Sequence, residues 1–130
     1  MLILTIRTDK PEAEIGLYKA KSQLAYHSWQ AHRQLAETLH SEIKKLLESE
    51  QKNWQDIEGL VVFKGPGSFT GLRIGASVAN ALADTLELKI IATTGKNWRE
   101  DGIKSLLVSK NDGQIVPEYG AEARTTTQKK

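Results

Sequence analysis

The chain contains no cysteine. That single absence excludes disulfide cross-links and thiolate catalysis and leaves a reducing compartment unstrained. Long apolar runs are missing too: no stretch reaches the roughly 18 apolar residues that a membrane-spanning helix needs. The opening MLILTIRTDK has no basic leader, and its apolar part is too short for a signal peptide. The expectation is a cytoplasmic protein without membrane contact. Neither sign of charge dominates. Lys and Arg number 18 against 16 Asp and Glu, a net charge of +2 with both signs interspersed, unlike a free-standing nucleic-acid binder.

Catalytic and metal-binding patterns are equally scarce. The three histidines are His27, His32 and His40. Positions 32 and 40 lie two helical turns apart, about 12 Å along a helix axis, too far to share one metal. No H-E-x-x-H spacing occurs. Ser68 sits in GPGSFTG, which is not the G-x-S-x-G elbow, and no Asp–His pair can be assigned to it. Nothing assembles a reaction mechanism.

What is present is an ordinary globular composition, 39% hydrophobic and 26% charged in 130 residues. A chain of this length buries roughly 65–70% of its unfolded surface, enough for one real core. Residues 2–6 read as a buried strand, 15–20 as a second and 23–29 as a third, an antiparallel meander. From Ala31 to Glu50 the period changes. Leu35, Leu39, Ile43, Leu46 and Leu47 form one apolar stripe, which predicts an amphipathic helix with its stripe in the core. A strand over Leu60–Phe63, a helix over 68–86 and a strand over 89–94 follow. That order implies a right-handed crossover and a parallel pair. Beyond Gly95, IKSLLVSK and QIVPEY flank the turn sequence NDG and predict a hairpin, with Pro117 confining its second strand to an edge. GAEARTTTQKK reads as a mobile tail.

The stretch GPGSFTGLRIG, Gly65 to Gly75, invites three readings. As a phosphate loop it lacks the Lys of G-x-x-x-x-G-K-[ST], and Thr70 stands where G-x-G-x-x-G needs its third glycine. A helix N-terminus can still attract an anion. As punctuation, Gly65-Pro66-Gly67 ends a strand and Ser68 or Thr70 caps a helix. Neither explains the glycines inside the helix. Gly71, Gly75, Ala79 and Ala83 recur every fourth residue and make one ridge of small side chains. Its two glycines cost roughly 1 kcal/mol each relative to alanine. Such a ridge lets another backbone come close. Leu72, Ile74, Val78, Leu82 and Leu86 make other parts of the cylinder apolar, and only Arg73 and Asp84 are charged. A helix apolar nearly all round must be covered nearly all round. The expected cover is another polypeptide, with packing against the first helix of the same chain as the competing account. On the first account, Gly75→Leu abolishes pairing and leaves the fold mostly intact.

GPGSFTGLRIG with the following ASVANALADTLELKIIATT closely resembles the signature of the TsaB (YeaZ) family of tRNA threonylcarbamoyladenosine biosynthesis proteins. HRQLAETLHSEIKKLLES and WQDIEGLVVFKGPGSFTG resemble that family's first helix and the strand before its signature. The resemblance implies a single actin-like (ASKHA, ribonuclease H-like) α/β lobe over residues 1–95, a mixed sheet with helices packed on it, and an extension over 96–130. It implies a non-catalytic scaffold that pairs through its helices with a TsaD-type catalytic subunit. With a TsaE-type ATPase, that assembly transfers threonylcarbamoyl to adenosine 37 of tRNA. The partner-binding residues carried over are Gly65, Pro66, Gly67, Ser68, Phe69, Thr70, Gly71, Leu72, Arg73, Ile74 and Gly75, to which the ridge adds Ala79 and Ala83. No cofactor is expected on this chain alone, ATP or ADP entering at the level of the complex and tRNA only through it; a homodimer is left open for the isolated chain. The competing function is a degenerate ATP-binding enzyme using the Gly65–Ser68 loop. Two departures stand out. The family has two lobes and this chain has length for one, as in a short form lacking the second. Where the family's first strand runs into a D-T-S turn, TIRTDKPEAE stands here.

Overall fold

Alternation of side chains in the first strand decides the layering. In a computed structural model describing residues 1–118, β1 (Leu2–Arg7) turns Leu2, Leu4 and Ile6 to one face and Ile3 to the other, all buried. β2 (Glu12–Lys19) pairs antiparallel with β1, and β3 (Ser22–Gln30) antiparallel with β2. β4 (Gly59–Phe63) lies parallel to β1, and β5 (Lys89–Thr93) parallel to β4. The sheet order is β3-β2-β1-β4-β5. Ile6 stands opposite Ile15 on β2 and Val62 on β4, so apolar rows run across the sheet. The meander and the parallel pair match expectation. β2 begins three residues earlier than expected because the alternation reaches back through the fully buried Ala13.

One face is covered by two helices. α1 (Leu35–Ser49), entered through a 3₁₀ turn at His32–Gln34, buries the whole expected stripe from Leu35 to Leu47. α2 (Phe69–Leu86) buries Ala76, Ala79, Leu82 and Ala83 in the same core. Fully burying one Leu or Ile side chain is worth about 1.5–3 kcal/mol, so α1 is held chiefly by its stripe rather than by its caps. The other face is covered by α3 (Trp98–Leu107), whose Trp98, Ile103 and Leu106 pack on Val61, Phe63 and Ile91.

α3 corrects the expected hairpin. Trp98, Gly102 and Leu106 fall every fourth residue, but a glycine at the centre hides the stripe from a count of apolar residues. Gly102 is there because a Cβ would overlap the Val61 side chain. Residues 114–118 form no strand either. The NDG sequence serves the free edge of β5 instead. Asn111 Oδ1 accepts from the Ile90 N–H (2.9 Å), Asp112 Oδ2 accepts from the Ala92 N–H (2.8 Å), and the Asp112 N–H donates to the Ile90 carbonyl (2.7 Å). Two side chains and one amide thus stand in for a strand on an edge that would otherwise be bare. Ile115 is buried and clamped at both backbone groups by the Asn80 side chain. The expected tail, residues 120–130, lies outside the described residues.

Candidate functional site

The β1–β2 turn and the glycine loop meet at the C-terminal ends of the parallel strands, and they hold each other. The Arg7 guanidinium lies 3.9 Å over the Phe63 ring. It donates from Nε and Nη2 to the two Asp9 carboxylate oxygens at 2.7 and 3.1 Å, a bidentate pair of the strong, planar kind. The Asp9 hydrogen bond lifts the Arg7 pKa above its ordinary value against the opposing effect of burial. So fixed, Asp9 presents its carbonyl to the Ser68 N–H at 2.9 Å. Beside it the buried Thr8 donates from Oγ1 to the Gly71 carbonyl at 2.8 Å.

Each loop glycine answers to this packing. Gly65 has φ +115°, a conformation that favours glycine, and a side chain there would run into the Glu118 carbonyl. A Cβ on Gly67 would overlap Asp9. Ser68 caps α2, its Oγ accepting from the Gly71 N–H at 3.4 Å. The Ser68 and Gly71 amides that a phosphate would use therefore already donate within the chain.

The ridge proves to face inward, which corrects the expectation that another polypeptide covers it. A Cβ on Gly75 would overlap Thr8 Oγ1, and one on Gly71 the Thr8 carbonyl. Ala79 is fully buried and Ala83 nearly so. The close neighbour of Gly71 and Gly75 is the chain's own β1–β2 turn, whereas Ala79 and Ala83 lie in the core that α2 shares with α1, so the competing account, packing within the chain, describes that half of the ridge. Gly75→Leu would therefore strike the fold before any pairing. Of the expected partner-binding residues, Gly65, Leu72, Gly75, Ala79 and Ala83 are buried within the chain, and Gly71 is half-buried. Pro66, Gly67, Ser68, Phe69, Thr70 and Arg73 are exposed, and Ile74 is half-buried.

Those exposed positions border a feature that the sequence did not reveal. α1 and α2 lie side by side, and a groove of about 360 Å³ runs between them, lined by the aliphatic Ala36, Ile74 and Val78 and by His40, Thr70, Arg73 and Ser77. Thr70 and Ile74 also line a second hollow of about 270 Å³ at the start of both helices, where Lys10, His32 and Arg33 gather. Among the described residues no acid lines either hollow. Ala36 and His40, the α1 side of the groove, fall on the polar face of its stripe and carry no sequence signal of their own. Among the described residues, no group of three or more His, Cys, Asp or Glu could hold a metal ion. Among them, too, no helix is long and apolar enough to cross a membrane.

Comparison with known proteins points one way. The family model described as "TsaD: tRNA N6-adenosine threonylcarbamoyltransferase" matches residues 27–94, from β3 through β5, and so takes in both helices of the groove. The tRNA threonylcarbamoyladenosine biosynthesis protein TsaB of Bacillus subtilis (strain 168) is 31% identical over 121 residues, covering 88% of this chain and 53% of the relative. The TsaB of Escherichia coli (strain K12) is 29% identical over 128 residues, 94% of this chain and 54% of the relative. The solved structure titled "YeaZ from Pseudomonas aeruginosa" superposes with a TM-score of 0.67 at 24% identity, over 78% of this chain and 50% of that one. The fold is thus the actin-like α/β lobe that the family resemblance implied. The chain spans about half the length of the relatives it matches.

Proposed function

The chain belongs to the TsaB (YeaZ) family, and on that premise we propose that it serves tRNA threonylcarbamoyladenosine biosynthesis as a non-catalytic scaffold pairing with a TsaD-type catalytic subunit. The observation that carries the proposal is the coincidence of the family match, residues 27–94, with the two helices that frame an outward-facing groove lined in part by aliphatic side chains. The contact runs through that groove: Thr70, Arg73, Ile74 and Val78 from α2 with Ala36 and His40 from α1. The glycines contribute indirectly, by seating α2 against the β1–β2 turn and so setting the direction in which Ile74 and Arg73 point. A TsaE-type ATPase joins the assembly, ATP or ADP is handled there, and tRNA is engaged through the complex in the cytoplasm. Without its partner the chain uses the same groove to pair with a second copy.

The alternative, a degenerate ATP-binding enzyme built on the Gly65–Ser68 loop, draws no support from a loop whose Ser68 and Gly71 amides are already engaged. Depletion of the protein in its host tests the proposal. The threonylcarbamoyladenosine content of tRNA, read by nucleoside mass spectrometry, should fall and should recover when the wild-type chain is restored. An unchanged content on depletion would contradict it.

A further inference from the structure

The charges around the groove run against the helices that carry them. Anions are stabilising near a helix N-terminus and cations near its C-terminus, because the unpaired N–H groups lie at the start and the unpaired carbonyls at the end. α2 has no acidic residue in its first turn and no basic residue in its last. Arg73 stands near its start, whereas Asp84 and Glu87 line a hollow at its far end. The 3₁₀ turn leading into α1 likewise carries His32 and Arg33 and no acid. Glu37, in the first turn of α1, lines neither of the groove's hollows. Both helices begin at the second hollow, so their two positive ends add to Lys10 and Arg33 there and to Arg73 in the adjoining groove. Among the described residues none of Lys10, Arg33 and Arg73 has an ion pair to an acid, and Arg73 lies 5.4 Å from the centre of the Phe69 ring, a contact that leaves its charge unneutralised. Such an arrangement weakens the isolated lobe and creates a positive field beside aliphatic side chains.

We propose that the groove takes a partner helix bearing a short aliphatic stripe flanked by carboxylates, its acidic end seated among Lys10, Arg33 and Arg73. The inference rests on the pairing reading given above and names the chemistry of the surface that meets this one. An RNA strand suits the groove less well. Bases stack on aromatic faces, whereas Ala36, Ile74 and Val78 are aliphatic and the rings nearby are already engaged, His40 tilted against Trp54 and the exposed Phe69 under the Arg73 guanidinium. A protein helix buries those aliphatic side chains, while its carboxylates satisfy the cations.

The test measures affinity of the full chain for the host's TsaD-type subunit at about 50 mM and about 300 mM salt, conditions that bracket ordinary screening. The double variant Arg33→Glu/Arg73→Glu should bind roughly 100-fold more weakly at low salt, and the gap should narrow at high salt, as for charges at an interface rim. Lys52→Glu, beyond the far end of α1, should bind as the wild type does. Circular dichroism checks that each variant is folded. Wild-type pairing that ignores both salt and the charge reversal overturns this inference and leaves the pairing reading standing. A wild-type chain that does not pair at all overturns both. Loss of tRNA retention or of self-association, with subunit affinity intact, assigns the groove to RNA or to a second copy and likewise overturns it.

Discussion

Thr8 and Gly75 form a tight junction at the site, and each makes sense beside the other. Thr8 is buried with its hydroxyl on the Gly71 carbonyl, and Gly75 leaves the space that hydroxyl fills. Gly75→Ala should cost about 1–3 kcal/mol through overpacking, despite alanine's better helix propensity. Thr8→Ala should cost about 1 kcal/mol for the lost hydrogen bond. Removing Oγ1 also makes room, so the double variant should be more stable than the two costs combined would allow, by about 0.5 kcal/mol or more. Urea denaturation measures all three, and strict additivity would contradict the junction. The sequence made half of this visible. Four small residues at four-residue intervals announced a close approach, but not which neighbour approached. Thr8 belongs to no periodic pattern, and it meets the ridge from more than sixty positions away.

Among the elements, the sheet and its first two helices were legible because their signals are periodic: alternation in the strands, a continuous leucine stripe in α1, a serine cap before α2. α3 was not. Its buried stripe is Trp98, Gly102, Ile103 and Leu106, and a glycine counts as a breaker unless its neighbour is known. The edge segment misled for a related reason. Asn-Asp-Gly is strong turn chemistry, but here the Asn and Asp side chains bond to β5 rather than to a hairpin of their own. Gly102→Ala tests the packing of α3. At an exposed helical position the change would stabilise by about 1 kcal/mol. Against Val61 it should instead destabilise, by about 1–3 kcal/mol in the same denaturation assay. Stabilisation would mean that α3 does not lie on the sheet as described.

For the whole molecule, the fold uses its glycines inwardly so that two helices can present a groove outwardly. Arg7 and Asp9 brace the β1–β2 turn, the turn seats α2, and α2 with α1 frames two adjoining hollows, one with Arg73 beside aliphatic side chains and one with Lys10 and Arg33. The sequence showed that an apolar helix needed cover. It could not divide that helix between the face its own sheet covers and the narrower strip left for a partner. The most direct measurement is the dissociation constant of the full-length Ile74→Asp variant with the TsaD-type subunit, alongside circular dichroism. Ile74 is half-buried in the groove and touches the main core from outside, so the variant's binding is read against the folded fraction that circular dichroism shows. Binding should weaken by at least about thirtyfold, the loss expected of a central anchor worth about 2 kcal/mol. A folded variant that binds as tightly as the wild type would contradict the groove as the pairing surface.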